Sequence, residues 1–292
     1  MPQSSIPVVV NRTGGIAASL GDSLGDRLRE AFAAAGVAID LHLVDGEQVD
    51  RTIAQLTGAP LVVVGGGDGT LGHAAATLAE AGTAMGILPL GTRNHLARQL
   101  GLPLDLAEAA KVIAAGRRQR MDLGRIGERV FINNASLGLY ARLVRDRDAL
   151  RAPKWLASLP AAWHVLRHLR AHPLVLEIDG ESHALDTPLL FIGNGAYLLE
   201  GGKLGQRESL SDGVLAFYAV AARNGWQLVA MALRVLAGRA DPKRDFGALK
   251  LGRKARITGR LTMDVACDGE VARMALPLEL ESLPGALEVI VP

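Results

Sequence analysis

Residues 61–72 read Leu-Val-Val-Val-Gly-Gly-Gly-Asp-Gly-Thr-Leu-Gly, and the fold follows from how that stretch is read. Four apolar residues make a short buried strand. Glycines follow, with one carboxylate and one hydroxyl among them, and the Ala-rich continuation predicts a helix over 71–81. A strand that ends in glycines and opens into a helix has the build of a phosphate site. Glycine lets backbone approach an anion closely, and a helix start points unpaired N–H groups at it. Three consecutive glycines, Gly65, Gly66 and Gly67, are more than a plain strand-to-helix turn needs.

On either side of this stretch, apolar strands alternate with helices. Strands are predicted at 7–10, 39–44, 61–64 and 85–88, and helices at 20–35, 48–56, 71–81, 93–100 and 104–115. Continuous apolar strands separated by helices imply a parallel sheet covered on both faces. After Arg120 the pattern changes to short strands at 122–126, 130–134, 174–178, 189–192, 214–220, 249–257, 261–265, 274–280 and 287–291. The turn pairs Asp179-Gly180, Asn194-Gly195, Asp212-Gly213 and Asp268-Gly269 punctuate them, with one helix at 226–236. The expectation is an α/β domain over 1–122 and a mainly antiparallel β-sandwich over 123–292, the last strand free to return to the first domain.

With 292 residues and 49% hydrophobic composition the chain can bury a sizeable core, built from Ala, Val, Leu and Ile because aromatics make up only 4%. A net charge of +2 gives no argument for nucleic acid. The single cysteine, Cys267, excludes an intramolecular disulfide and reads as a buried strand thiol. No apolar run reaches the ~18 residues of a membrane span, and residues 1–10 lack the pattern of a signal peptide. These features predict a cytoplasmic protein.

Three readings compete for the glycine loop. Gly67 to Gly72 matches the dinucleotide fingerprint G-x-G-x-x-G, but the next strand ends in Leu88-Pro89-Leu90-Gly91-Thr92, with no carboxylate for a ribose. A P-loop fails because no Gly-Lys-Ser/Thr is present. A kinase site in which Gly66-Gly67-Asp68-Gly69-Thr70 holds a polyphosphate suits the residues best. Two further loops end strands of the same half: Asn11-Arg12-Thr13-Gly14-Gly15 and Gly91-Thr92-Arg93-Asn94-His95. In a parallel sheet such loops share one edge, where ligands bind.

These residues resemble the diacylglycerol kinase catalytic-domain family, which includes bacterial lipid kinases and the sphingosine and ceramide kinases. The family's ordered motifs are matched by Asn11 to Gly15, Gly66 to Thr70, Pro89 to Asn94, Ser211-Asp212-Gly213 and Asp268-Gly269-Glu270. The resemblance implies an NAD-kinase-like α/β nucleotide domain, a β-rich second domain, and ATP-dependent phosphorylation of a lipid hydroxyl. It implies that Glu270 is the general base and that Asp212 binds Mg²⁺, aided by carbonyls such as those of Ser209 and Val214. The chain departs from the family at Arg12, Gly72, His73 and His95, and at Val44 and Asp45, where many members offer a Thr.

Phosphoryl transfer asks mainly for positioning and charge neutralisation. The backbone N–H groups of Gly67, Gly69 and Thr70 are expected to cradle the ATP phosphates, with Asn11, Thr13 and Thr92 adding hydrogen bonds and Arg12 pairing with phosphate. Asp68, the only carboxylate in the loop, is expected to contact Mg²⁺ or approach the acceptor hydroxyl, or else to cap the following helix. His164, His168 and His172 fall at helical spacing and read as a solvated face. The basic segment 147–172, with Trp155 and Trp163, reads either as a peripheral contact with an anionic membrane or as packing on the β domain. The partner expected is a lipid substrate at a membrane surface. No protein partner is inferred, and a homodimer is left open. Two other readings stand beside the lipid kinase: a kinase of a soluble acceptor resembling NAD kinase, and a lipid- or nucleotide-binding relative without catalysis.

Overall fold

The computed structural model describes residues 5–138, 171–197, 207, 209–222, 225–236, 246–259 and 262–292. The chain divides into two compact units, Met1–Leu123 with Pro284–Pro292, and Gly124–Leu283.

The first unit alternates β1 (Ile6–Asn11), α1 (Gly15–Leu20), α2 (Leu24–Ala34), β2 (Ile39–Val44), α3 (Val49–Leu56), β3 (Leu61–Gly66), α4 (Asp68–Glu80), β4 (Ala84–Pro89), α5 (His95–Gln99) and α6 (Leu106–Ala115). The strands lie parallel in the order β2, β1, β3, β4. The C-terminal end of β16 (Leu278–Ile290) joins beside β4, with Val289 opposite Met85. Every residue of β3 and β4 is buried, as strands covered on both faces require. Leu24, Leu28 and Phe32, one helical turn apart along α2, pack with Ala109 and Ile113 of α6 onto Val8, Val10 and Val63. Local chemistry sets the ends of α6: Asp105 accepts from the N–H groups of Ala107 and Glu108 at 3.0 and 3.1 Å, and Gly116 takes a left-handed turn at φ 67°.

The second unit holds two antiparallel sheets. One has the order β12, β11, β10, β7, β14, β15, made of β12 (Phe246–Gly252), β11 (Leu215–Val220), β10 (Leu189–Asn194), β7 (Asn134–Gly138), β14 (Thr262–Cys267) and β15 (Glu270–Ala275). The other runs from the start of β16 through β13 (Lys254–Thr258) and β8 (His172–Ile178) to β9 (Glu181–Thr187). Their inward faces close one core, in which Leu137, Ile192, Phe217 and Val265 meet Leu176, Ile178, Ile257 and Leu280. β5 (Arg118–Ile126) crosses from the first unit into the second and pairs there with β6 (Arg129–Phe131). A helix, α7 (Gly225–Leu236), follows β11. The α/β half and the antiparallel sandwich are the fold class the sequence predicts.

Several boundaries differ from the reading. The strand predicted at 249–257 is two strands in different sheets. A Cβ at Gly252 would overlap Ile178, so the chain passes there as glycine, and Asp179 then takes the N–H groups of Arg253 and Lys254 at 2.9–3.2 Å. The strands predicted at 274–280 and 287–291 are instead β15 and the long β16, which continues through Pro284 and Gly285. The helix predicted at 20–35 is α2, which starts at Leu24, and the short α1 before it, ending at Leu20 ahead of Gly21 with its φ of 52°, was not predicted. His172 opens β8 rather than sharing a helix with His164 and His168, because Pro173 disfavours helix at the residue before it. His164, His168 and positions 147–170 of the basic segment lie outside the described residues. Among the described residues no helix is long and apolar enough to cross a membrane.

Candidate functional site

In the first unit the three strand-end loops are tied to one another. Asn11 ends β1. Its Oδ1 accepts from the Thr13 N–H at 3.1 Å and from the Thr13 hydroxyl at 2.7 Å, folding the loop back. Its Nδ2 donates to Thr70 Oγ1 at 3.2 Å, joining the first loop to the glycine loop. Gly14 and Gly15 lead into α1, and the Ile16 N–H donates to the Leu90 carbonyl at 2.8 Å.

The helix that follows the glycines starts earlier than the sequence pattern predicts. α4 begins at Asp68, with Gly67 as its extended N-cap residue, so Asp68, Gly69 and Thr70 are helical. The Leu71 N–H donates to the Gly67 carbonyl at 3.0 Å, closing the first turn. The N–H groups of Asp68, Gly69 and Thr70 precede that bond and have no acceptor within the helix. Two glycines here are required by packing. A Cβ at Gly66 would sit 2.7 Å from Thr70 Cβ, and one at Gly91 would overlap Gly67. Gly69 is different: a Cβ there meets nothing within 4 Å. Among the described residues no packing demands glycine at this position, and open space lies beside the start of α4.

Asp68 neither caps α4 nor stands alone. Its two carboxylate oxygens accept from the N–H groups of Leu96 and His95 at 3.1 and 3.2 Å, so it caps α5 and joins the glycine loop to the third loop. Asn94 shapes that third loop. It is 3% exposed and takes a left-handed φ of 51°, which Asn tolerates better than most residues. It accepts from the Gly91 N–H at 2.9 Å and donates to the carbonyls of Pro89 and Gly91 at 3.1 and 2.9 Å. Thr92 is exposed on the same turn. Sequence reasoning placed Asn94 in a motif but gave it no role, because a buried amide that folds its own loop looks no different from a solvated one. Its left-handed turn also explains why α5 starts at His95 rather than at the predicted 93.

Arg12, expected to face phosphate, forms a two-pronged ion pair with Asp45 at 2.8 and 3.3 Å, with both side chains largely in solvent. Hydrogen bonding to Arg12 holds the Asp45 carboxyl below its ordinary range, and the same bond raises Arg12. His73 lies on the outer face of α4 and pairs with Asp50 of α3 at 2.9 Å, while Gly72 is buried.

In the second unit, Asp268 and Gly269 form the tight turn between β14 and β15, with φ angles of 47° and 93°. Glu270 is exposed at the start of β15. Asp268 points inward and accepts from three successive N–H groups, those of Ile132, Asn133 and Asn134, at 2.7, 2.8 and 3.1 Å. Burial pushes its carboxyl above the ordinary range, and the three donors together with the nearby Arg207 pull against that rise. Cys267, next to it and 6% exposed, has its thiol pushed up to about 12 by burial. Asp212 sits exposed between Ser211 and Gly213. Of its expected helpers, the Val214 carbonyl accepts from the Gly195 N–H at 3.0 Å, and the Ser209 hydroxyl accepts from the Ser211 N–H at 3.1 Å. Among the described residues no three His, Cys, Asp or Glu side chains gather as a metal cluster.

Residues 5–126 match the family described as diacylglycerol kinase catalytic domain, and residues 133–291 match the YegS C-terminal NAD kinase β-sandwich-like domain. A probable lipid kinase YegS-like protein of Klebsiella pneumoniae is 36% identical over 161 residues, covering 53% of this chain and 54% of that one. A probable lipid kinase YegS-like protein of Pseudomonas syringae pv. tomato is 30% identical over 287 residues, covering 92% and 90%. The chain thus spans about half the length of the first relative and nearly all of the second. A crystal structure of a diacylglycerol kinase from Bacillus anthracis str. Sterne shares the fold, with a TM-score of 0.68, 20% identity, and coverage of 100% and 98%. The chain belongs to the diacylglycerol kinase catalytic-domain family, with the YegS-type β-sandwich as its second half.

Proposed function

We propose that this kinase-family chain transfers the terminal phosphoryl group of ATP to a hydroxyl of diacylglycerol or a related lipid. One observation carries the reading. Gly69 has open space where a side chain would go, beside the first N–H groups of α4, which have no acceptor within the helix. A polyphosphate needs that pairing of donors with room, and a helix start adds a favourable dipole. The residues present therefore suit the group.

In this reading the backbone N–H groups of Gly67 to Thr70 hold the phosphates. Asn11 and Thr13 fix the first loop, and Asn11 sets the Thr70 hydroxyl. Gly14 and Gly15 bring the start of α1 against the third loop, where Thr92 offers a further hydroxyl. Arg12 exchanges Asp45 for phosphate when nucleotide is bound, a trade between two planar oxyanions that a guanidinium fits equally well. Asp68 holds the second and third loops in register through α5, and its remaining lone pairs can receive a hydrated cation. Mg²⁺, when bound, neutralises phosphate charge, and Asp212 is the candidate ligand, a single carboxylate being compatible with an ion that keeps most of its waters. Glu270 accepts the proton of the acceptor hydroxyl at a carboxylate oxygen as that hydroxyl's oxygen bonds to the γ-phosphorus, the bond from that phosphorus to the bridging oxygen breaks, and ADP leaves with the electron pair. The lipid is met at a membrane surface.

The test is incubation with γ-labelled ATP, Mg²⁺ and an extracted lipid mixture. Label in the chloroform phase, lost in Glu270→Gln, supports the reading. Label in water-soluble NADP would instead point to a soluble acceptor, and nucleotide binding without transfer to a non-catalytic relative.

A further inference from the structure

Asp268-Gly269-Glu270 contains two carboxylates two residues apart, and the structure gives them opposite surroundings. Both oxygens of Asp268 are engaged by a run of three successive backbone N–H groups, and the Asp268 N–H returns a bond to the Asn134 carbonyl at 2.9 Å. The turn at 132–134 is also held from its carbonyl side. The Ile132 carbonyl accepts from Arg207 Nη1 at 2.8 Å and from Asn194 Nδ2 at 2.9 Å. The Asn133 carbonyl accepts from the Tyr197 hydroxyl and the Asn194 N–H, both at 3.0 Å. Arg207 is 8% exposed and Asn194 2%. The N–H and carbonyl groups of this turn are thus engaged from both sides in a partly buried network, and such networks hold backbone in place. Glu270 leaves this anchored point after one glycine and is exposed.

We infer that Asp268 is the positioning residue for Glu270, the anchor that fixes the hairpin end presenting the base, and that it neither exchanges protons with substrate nor binds the metal. The inference rests on the proposed role of Glu270. A carboxylate holding three N–H donors has its acceptor sites directed into the protein. The left-handed backbone at Asp268 and the following glycine set the direction in which Glu270 emerges. Errors of about 1 Å at a reacting group cost roughly 100-fold in rate, so loosening the anchor should reduce turnover without weakening nucleotide binding.

The experiment compares wild type, Asp268→Asn, Asp268→Ala and Glu270→Gln as full chains, measuring turnover and KM for ATP against pH. It also measures amide exchange at 132–134 and 268–271. Asp268→Asn keeps one oxygen, the acceptor for Asn133 and Asn134, and loses the bond to Ile132. It should lower kcat by about 10-fold and Asp268→Ala by about 100-fold, with KM for ATP within about two-fold. The acidic limb of the rate profile should persist in both Asp268 variants, Glu270→Gln should lose turnover altogether, and exchange should quicken in the order Asn, then Ala. Wild-type kcat in Asp268→Ala, or loss of the acidic limb in Asp268→Asn, would overturn the inference. If wild type transfers no phosphate, the proposed function fails instead. Exchange then decides the anchor alone: quickened exchange sustains it, and unchanged protection at 268–271 rejects it.

Discussion

Replacing Gly69 by Ala should make the folded protein more stable and its nucleotide binding worse. The residue lies in the first turn of α4, and an added Cβ meets nothing within 4 Å. Gly→Ala at a position whose backbone Ala can adopt stabilises by about 0.4–1 kcal/mol, largely by restricting the unfolded chain. At about 2–4 °C per kcal/mol for domains of 150–250 residues, the melting temperature should rise by roughly 1–4 °C. Binding should move the other way, because the methyl group occupies space that a phosphate needs beside the N–H groups. Losing one hydrogen bond to a charged group costs about 1.5–3 kcal/mol, which is roughly a 10- to 150-fold weaker Kd. Calorimetric titration with Mg²⁺ and ATP, beside a thermal melt of the same sample, reads both signs. Unchanged affinity in a stabilised variant would show that no phosphate sits over this turn. A lowered melting temperature would show that the glycine serves packing after all.

Gly91→Ala should lower both stability and binding, because its Cβ would overlap Gly67 and lie 2.8 Å from Asn94 Oδ1; overpacking of this kind costs about 1–3 kcal/mol, readable in a urea melt. Asn94→Ala removes three hydrogen bonds from a buried turn and leaves a left-handed backbone that Ala disfavours, so about 2–4 kcal/mol of stability should be lost. Cys267, with its thiol near 12 in the folded protein, should stay unreactive to iodoacetamide at pH 9 until the chain unfolds. The folded state keeps that proton while the unfolded chain releases it near pH 9, so wild type should lose about 1.4 kcal/mol per pH unit between 9 and 12 relative to Cys267→Ala. Parallel pH curves for the two proteins would refute that burial.

The strands of the first unit were legible because they are buried on both faces: Leu61–Gly66 and Ala84–Pro89 contain nothing polar, and helices separate them in sequence. The joining of the three loops was anticipated from their matching positions after β1, β3 and β4. How they join was not, because Asp68, Asn11 and Asn94 act through backbone groups of other loops, and pattern carries no record of distant backbone. The second unit was harder. β9 alternates Ser182, His183, Ala184, Leu185 and Asp186 with little apolar content and was missed, since among the described residues it pairs with β8 alone. Gly252 ends one strand and Pro284 does not end another, although punctuation by Gly and Pro suggests the reverse weighting. Arg207 gave no signal at all. A lone arginine in a loop reads as solvated, and only the fold shows it bound to the carbonyls of Ile132 and Asn194.

A crystal structure of the whole chain with Mg²⁺ and a non-hydrolysable ATP analogue tests the central claim most directly. The account predicts the β- and γ-phosphates against the N–H groups of Gly67 to Thr70, with the space beside Gly69 filled. A triphosphate lodged elsewhere, with that turn left open, would contradict it.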